Sequence, residues 1–302
     1  MAGTFPPSTG YNFVPTLHHS IPEHLIPAAQ GLPSPFVVCI TGASRGIGAE
    51  IAKAFAAAGA SAVVLTARTE SALKGTRDAC HAASKSASVT CKVSTLAADA
   101  GSAESARRLA SVIEKEHGRL DVLVNNAGIM ATNASAFGTI HEMDDEQIIL
   151  PTQVNYIGRL LTIKYLLPLL LDSDRGAKTV MNITSISSHL TSGTPMPFNI
   201  SEFATNRLTE SLAESYAAEG LIVHAVHPGM VKTTFPPGFP KAMEEFCVDD
   251  AGLCGAFLVW LVRERRGWLG GRYLSANWDV GELEGRREEV LELDLLKMRM
   301  VV

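Results

Sequence analysis

Residues 41–48 read Thr41-Gly42-Ala43-Ser44-Arg45-Gly46-Ile47-Gly48, and they separate two segments of opposite character. Before them, residues 36–41 form a short apolar run, the pattern of a strand buried on both faces. After them, Ile47, Ile51 and Phe55 recur at helical spacing through residues 47–58. A strand, a Gly-rich turn and an amphipathic helix in that order leave few folds open. Gly42 permits the tight turn, while Gly46 and Gly48 let backbone and helix come close to a pyrophosphate. The helix N-terminus adds unpaired N–H donors and the positive end of its dipole. A Gly-rich string by itself is weak evidence; the strand before it and the helix after it give it meaning.

The rest of the chain repeats the alternation. Strands are expected at residues 61–66, 89–96, 120–125, 178–184, 221–227 and 271–275. Helices are expected at 70–84, 103–117, 147–171, 201–219 and 249–263. This is the pattern of an α/β protein with one doubly wound parallel sheet, a Rossmann fold flanked by helices on both faces. Residues 36–280 form one domain with no internal boundary. Residues 1–35, rich in Pro, Ser, Thr and His, read as an extended arm, either loose or packed on the domain. Residues 281–302 read as a helical tail whose apolar end is available to a partner subunit.

Composition removes several classes. The chain has 302 residues, 46% hydrophobic and 19% charged, enough for a large core. A net charge of −5 without a basic block disfavours nucleic-acid binding. Cys39, Cys80, Cys91, Cys247 and Cys254 are scattered, with neither a CxxC pair nor metal-ligand spacing, so free thiols and no metal are expected. The arm lacks the apolar core of a signal peptide. The apolar run at residues 256–262 is too short to span a bilayer. A cytoplasmic location without membrane attachment is the expectation.

Several further motifs follow the Gly-rich turn in order. Asn125-Asn126-Ala127-Gly128 closes the fourth strand, Asn155 lies in the long helix, and Ser185 follows the fifth strand. Pro228-Gly229-Met230-Val231-Lys232-Thr233 follows the sixth. Together with the Thr-Gly-x-x-x-Gly-x-Gly turn, these motifs resemble the short-chain dehydrogenase/reductase family over about residues 36–302. The end of the chain, from Gly271 to Asp279 and through the Lys-Met-Arg-Met-Val-Val terminus, looks like a subgroup common in fungi. The resemblance implies a nicotinamide cofactor held by Gly42, Ser44, Arg45, Gly46, Ile47, Gly48, Asn126, Ala127 and Gly128. Pro228, Gly229, Val231 and Thr233 would embrace its nicotinamide end. It also implies a small-molecule substrate and a homodimer or homotetramer built on the helices at 147–171 and 201–219.

The second strand ends in Thr66-Ala67-Arg68, with no carboxylate to bond a ribose 2′-hydroxyl. Arg68 offers a planar fork to a 2′-phosphate, and Arg45 a second charge, so NADP(H) is expected over NAD(H). The alternative is that both arginines are solvated surface residues. Asp99 stands where this family receives the adenine amino group; a helix cap for residues 103–117 is the other reading.

The family pattern breaks at its proton-transfer step. Its catalytic Tyr and Lys positions fall here on Phe198 and Glu202, while Ser185 and Asn155 remain. Phe198 has no proton to give. A carboxylate about 6 Å from a nicotinamide ring would favour the oxidised form by about 2–3 kcal/mol at an effective dielectric near 20. Burial that keeps Glu202 neutral, and so an acid, is the opposite reading. His189, four residues past Ser185, is a second candidate acid or a surface histidine; His227 reads as a buried histidine at a strand end.

Three explanations stay open. The chain is an NADP(H)-dependent oxidoreductase with an atypical site for a small hydrophobic, secondary-metabolite-like substrate; or a non-redox enzyme using the same cleft; or a silent binding protein with a decayed site. The Pro- and Phe-rich stretch 234–241 is the expected lid, with an apolar entrance.

Overall fold

A computed structural model of the chain describes residues 5–173, 176–234 and 236–300. Phe235 of the expected lid lies outside them, as do residues 1–4 of the arm and 301–302 of the tail. Seven strands form one parallel sheet: β1 (Val37–Ile40), β2 (Ala62–Ala67), β3 (Lys92–Ala97), β4 (Val122–Asn125), β5 (Thr179–Ile183), β6 (Ile222–His227) and β7 (Arg272–Ser275). Their order is β3-β2-β1-β4-β5-β6-β7. The order reverses between β1 and β4, where an open α/β sheet forms a crevice at the carboxyl ends of its strands.

The two-residue period of the strands divides the core. Val38, Ile40, Val63 and Leu65 face one side, beneath α1 (Gly46–Ala57) and α2 (Lys74–Ser86). Val37, Cys39 and Val64 face the other, beneath α3 (Ala103–His117) and α4 (Asp145–Asp172). The strands β1, β2 and β4 to β7 are buried throughout; β1 and β2 are nearly continuous apolar runs, while β5 to β7 also bury Asn182, His224, His227 and Arg272. At one edge, β3 is half-buried and carries Lys92 and Ser94, polar groups that discourage edge-to-edge pairing.

Helix α4 is long and apolar enough to cross a membrane, yet Ile163, Leu166, Leu167 and Leu170 lie in the core against the sheet. Its middle, Thr152–Gly158, is a π-helical turn, an irregularity found often at functional sites. Helix α5 runs over Met196–Ser215 and starts five residues before the expected position. Pro197 stands in its first turn, where the missing N–H costs nothing. Helix α6 (Ala251–Arg263) begins at Asp250, whose side chain accepts from Gly252 N.

The arm packs on the domain. His18 N donates to Asn277 O (2.7 Å), and Trp278 Nε1 donates to Tyr11 O (3.0 Å). Val14 and Leu25 are buried in the core, and Phe13 sits 5.2 Å from Trp278. His18 pairs with Asp279 (2.9 Å), and His24 joins them to form a group with one ligand atom each within 4.8 Å. Sequence spacing did not reveal this group, because the arm and the end of β7 assemble it. The tail forms two short helices, α7 (Val280–Gly285) and α8 (Arg287–Glu292), then turns back along β7. Leu296 O accepts from Tyr273 N (2.8 Å), and the Leu296 side chain packs on the chain's own core. The tail therefore covers the β7 edge of its own sheet.

Candidate active site

The ends of β1 and β4 are locked to each other by backbone and short polar groups. Thr41 Oγ1 accepts from Asn126 N (3.1 Å) and Ala127 N (3.0 Å). Asn126 Nδ2 donates to the carbonyls of Thr41 and Gly42, at 3.0 Å each. Gly42 has φ +65°, and a Cβ there would lie 2.8 Å from the Ala127 Cα. A Cβ on Gly48 would lie 2.4 Å from Asn126 Nδ2. Larger residues at either position would push the two motifs apart. Arg45 is the N-cap of α1 without a side-chain cap bond, so the first N–H groups of the helix stay available to an anion. Ser44 and Ile47 are half-buried within this turn.

A cleft of about 800 Å³ opens above it. Arg45, Gly46, Gly128, Ser185, Gly229, Val231 and Thr233 all line it. A Cβ on Gly46 would stand 3.6 Å from Thr233 Cγ2, so the Gly-rich turn and the segment after β6 face each other. Pro228 is buried behind them. Met230 N donates to Asp249 Oδ2 (2.5 Å), which fixes this segment. Arg45 and Lys232 are the cleft's cations, and no carboxylate or tyrosine lines it among the described residues. That charge suits an anionic ligand although the chain as a whole is acidic.

Arg68 follows β2 and is exposed; neither it nor Arg45 is held in an ion pair among the described residues. Asp99 is exposed after β3, and its Oδ1 accepts from Gly101 N (3.0 Å). Ser102, not Asp99, caps α3, accepting from Ser105 N. The helix-cap reading of Asp99 is thereby removed.

Behind the cleft floor lies a hydrogen-bonded polar cluster. Asn155, in the π-helical turn, accepts from Ile129 N (2.8 Å) and donates to Ile129 O (2.9 Å) and Ser201 Oγ (3.0 Å). It fixes the strand-end loop that forms the floor. Ser185 lines the cleft; its Oγ accepts from Ser187 N (3.1 Å), which leaves its proton free to donate. Phe198 and Glu202 lie on α5, buried, and neither lines the cleft.

The bare negative charge expected at Glu202 is not there. Arg159 Nη1 donates to Glu202 Oε2 (3.0 Å) and to Thr205 Oγ1 (2.9 Å), with both charged side chains at most 4% exposed. The guanidinium cancels the carboxylate over short range, so the tilt toward an oxidised nicotinamide disappears. Arg159 also reaches the cleft floor from below: its Nη2 would be 3.4 Å from a Cβ on Gly128. Sequence reading missed this residue. Its signal was a cation one helical turn after Asn155, with an acid rather than a base at position 202.

The two histidines are also resolved. His189 is not a surface residue; its ring packs edge-on to Tyr273 at 4.4 Å, and burial lowers its pKa to about 4. His227 Nδ1 accepts from Ile186 N (3.2 Å), so its proton sits on Nε2. Burial, with His189 nearby, lowers the His227 pKa to about 3. Neither is charged near neutral pH. The only thiol on the cleft, Cys247, is pushed up by burial and stays protonated there; all five cysteines are free.

Comparison with known proteins agrees with this geometry. A family model described as short chain dehydrogenase matches residues 36–241. The chain is 38% identical to the short chain dehydrogenase pgmD of Aspergillus terreus over 98% of its own length and 96% of the relative's. It is equally similar to the short chain dehydrogenase citE of Monascus ruber, with 99% of each covered. A crystal structure of a short chain dehydrogenase from Salmonella enterica serovar Typhi CT18 superimposes with a TM-score of 0.70 at 27% identity, covering 82% of this chain and 98% of that one. The chain belongs to the short-chain dehydrogenase family.

Proposed function

We propose that this chain is an NADP(H)-dependent oxidoreductase whose proton-transfer machinery has been rebuilt, and that it acts on a small hydrophobic substrate of the secondary-metabolite kind. The observation that carries the reading is the buried Arg159–Glu202 pair beneath an intact phosphate cradle. Random decay at position 202 would leave an unpaired buried carboxylate, a loss of about 3–5 kcal/mol. Here the acid has a partner from a different helix, as selection for a working fold around a live pocket would produce.

In this reading the turn from Gly42 to Gly48 holds the pyrophosphate, Arg45 and Arg68 the 2′-phosphate, and Pro228 to Thr233 the nicotinamide end. The bound cofactor supplies a hydride donor or acceptor. The chain's own part is to dock the substrate and hold one proton: Ser185 Oγ–H donates to a substrate oxygen at the floor of the cleft. Ser185 has no tyrosine or carboxylic acid beside it on the cleft surface, which suits substrates that need no fixed acid as the hydride moves. An activated alkene conjugated to a carbonyl fits: its oxygen rests on Ser185 while solvent supplies the final proton. An iminium ion also needs no acid, but it would not use the Ser185 hydrogen bond and would meet a cationic cleft.

The same reading makes the protein a homo-oligomer. Ile148 and Ile149 on α4 and Ile200 and Phe203 on α5 are exposed on two contacting helices, Ile149 at 60% and Ile200 at 59%. Such a patch is self-complementary across a two-fold axis. Light scattering on a sizing column should give a dimer or tetramer, and Phe203→Glu should shift it toward monomer.

The deciding experiment is titration with NADPH, NADP+ and NADH, read by tryptophan and cofactor fluorescence. With Glu202 paired, NADP+ and NADPH should bind within a fewfold of each other, and both about tenfold or more tighter than NADH. Absence of binding by any form at millimolar concentration would overturn the oxidoreductase reading and favour a silent binding protein.

A further inference from the structure

The arm that precedes β1 does more than tie the two ends of the chain together. Its Phe5 lines the same cleft as Ser185, more than thirty residues before the first strand. The ring is half-buried, with Tyr11 at 5.0 Å and Phe246 at 6.3 Å, both tilted near 60°. These are separations at which aromatic rings attract edge to face. Elsewhere on the cleft, Phe239 meets Phe137 at 6.2 Å and 87°, and Met130 and Met243 add polarisable sulfur. The cleft lining therefore combines polar residues, Arg45, Lys232 and Thr233, with an apolar set, Phe5, Phe239 and the methionines.

The arm is also fastened to the loop that shapes the cleft. His19 Nδ1 bonds Asp249 Oδ1 (2.5 Å). The other oxygen of that carboxylate accepts from Met230 N (2.5 Å) and Asn277 Nδ2 (2.9 Å). One buried carboxylate therefore holds the arm, the cleft loop and the segment after β7 in register. Further up the arm, Trp278 Nε1 donates to Tyr11 O, which leaves Phe5 only six residues from a fixed point.

From this arrangement we infer that the N-terminal arm is a wall of the substrate site and that Phe5 helps select a planar, aromatic or polyunsaturated ring system. The inference rests on the oxidoreductase reading for what happens to the ligand, but not for whether it binds. Rigid aromatic side chains bind flat apolar ligands with little entropy loss.

The test uses N-phenyl-1-naphthylamine, a neutral fluorophore of one naphthyl and one phenyl group that brightens in apolar sites and carries no phosphate mimic. It should bind the full chain, and Phe5→Ala and, separately, Phe246→Ala should each weaken it about fivefold or more. NADPH affinity and the melting temperature should stay unchanged in both variants. Phe5→Leu should recover only part of the affinity, since it restores area without a ring. The inference falls if the probe does not bind the unaltered chain, or if both alanine variants bind it as well as before. It also falls if the variants lose NADPH and probe together, because the arm would then shape the whole cleft rather than wall the substrate's part of it. If NADPH fails to bind while the probe still depends on Phe5, the oxidoreductase reading falls and the arm's role stands.

Discussion

The first half of the sheet and the second half handle their functional residues in different ways. From β1 to β4 the site is built from backbone. Thr41 and Asn126 close on each other's main chain, and Gly42 and Gly48 have no room for a side chain. From α4 through α5 the site is built from side chains that answer one another: Arg159 meets Glu202, Asn155 meets Ser201, and Arg159 meets Thr205. A backbone-built site tolerates little change, so its motif survives. A side-chain-built site can exchange charges if both partners change. The expected departure from the family pattern, at Phe198 and Glu202, falls in the half whose construction would allow it.

The sharpest way to break that comparison is to reverse one charge. Glu202→Lys sets an ammonium against the Arg159 guanidinium in a site where both side chains are nearly fully buried. It should cost about 5 kcal/mol or more of stability, since it removes the pairing and adds like-charge repulsion. Phe198→Tyr with Glu202→Lys, the pair of changes that restores the usual family residues, should therefore fail to give a stable reductase. Adding Arg159→Glu should recover most of the loss, and urea denaturation of the three variants checks it. If Glu202→Lys alone is as stable as the parent, the pair is not a structural unit and site decay becomes the better account.

The same contrast explains what was legible in the sequence. All seven strands and the Gly-rich turn could be read from it: β1 and β2 are apolar runs, the half-buried β3 and the more polar later strands follow from the strand–helix alternation, and the turn's chemistry is local. Helix α5 starts five residues before the expected position, and Pro197 stands in its first turn, where proline begins a helix rather than ending one. Glu202 could be seen as odd, but its partner is 43 residues away, inside a helix whose pattern reads as core. The arm's path could not be read at all: Phe5, His19 and Tyr11 find their partners on the segments around Phe246, Asp249 and Trp278, and no local signal encodes that distance.

A smaller effect separates the halves by pH. His189, His224 and His227 all belong to the second half, and burial lowers them to about 4, 4 and 3. The unfolded chain takes up these protons near pH 6.5, while the folded chain refuses them until pH 4 or below. Between those values the unfolded state binds more protons, so stability falls as pH falls; above pH 6.5 the contribution is fully present. The loss should reach several kcal/mol by pH 4, at about 1.4 kcal/mol per unit of displacement. Hydrogen exchange should report it first at β6 and the turn after β5, with β1 and β2 still protected. Equal loss of protection across the sheet would mean that the halves unfold as one unit.

The smallest effect tests the backbone-built half at its one side-chain-dependent point. Arg68 follows β2 and is exposed, with no ion pair among the described residues. A structural arginine would be held by a partner; this one has its planar donors unspent. Arg68→Ala should therefore leave stability unchanged and weaken NADPH about tenfold, the scale of one charge-assisted contact, while NADH changes little. Arg68→Asp should go further, placing a carboxylate where a ribose 2′-hydroxyl is bonded and a 2′-phosphate repelled, and so invert the preference. If both variants weaken NADPH and NADH alike, Arg68 supports the pocket without reading the phosphate. Discrimination would then rest on Arg45, inside the turn, where a change cannot be separated from the cradle itself.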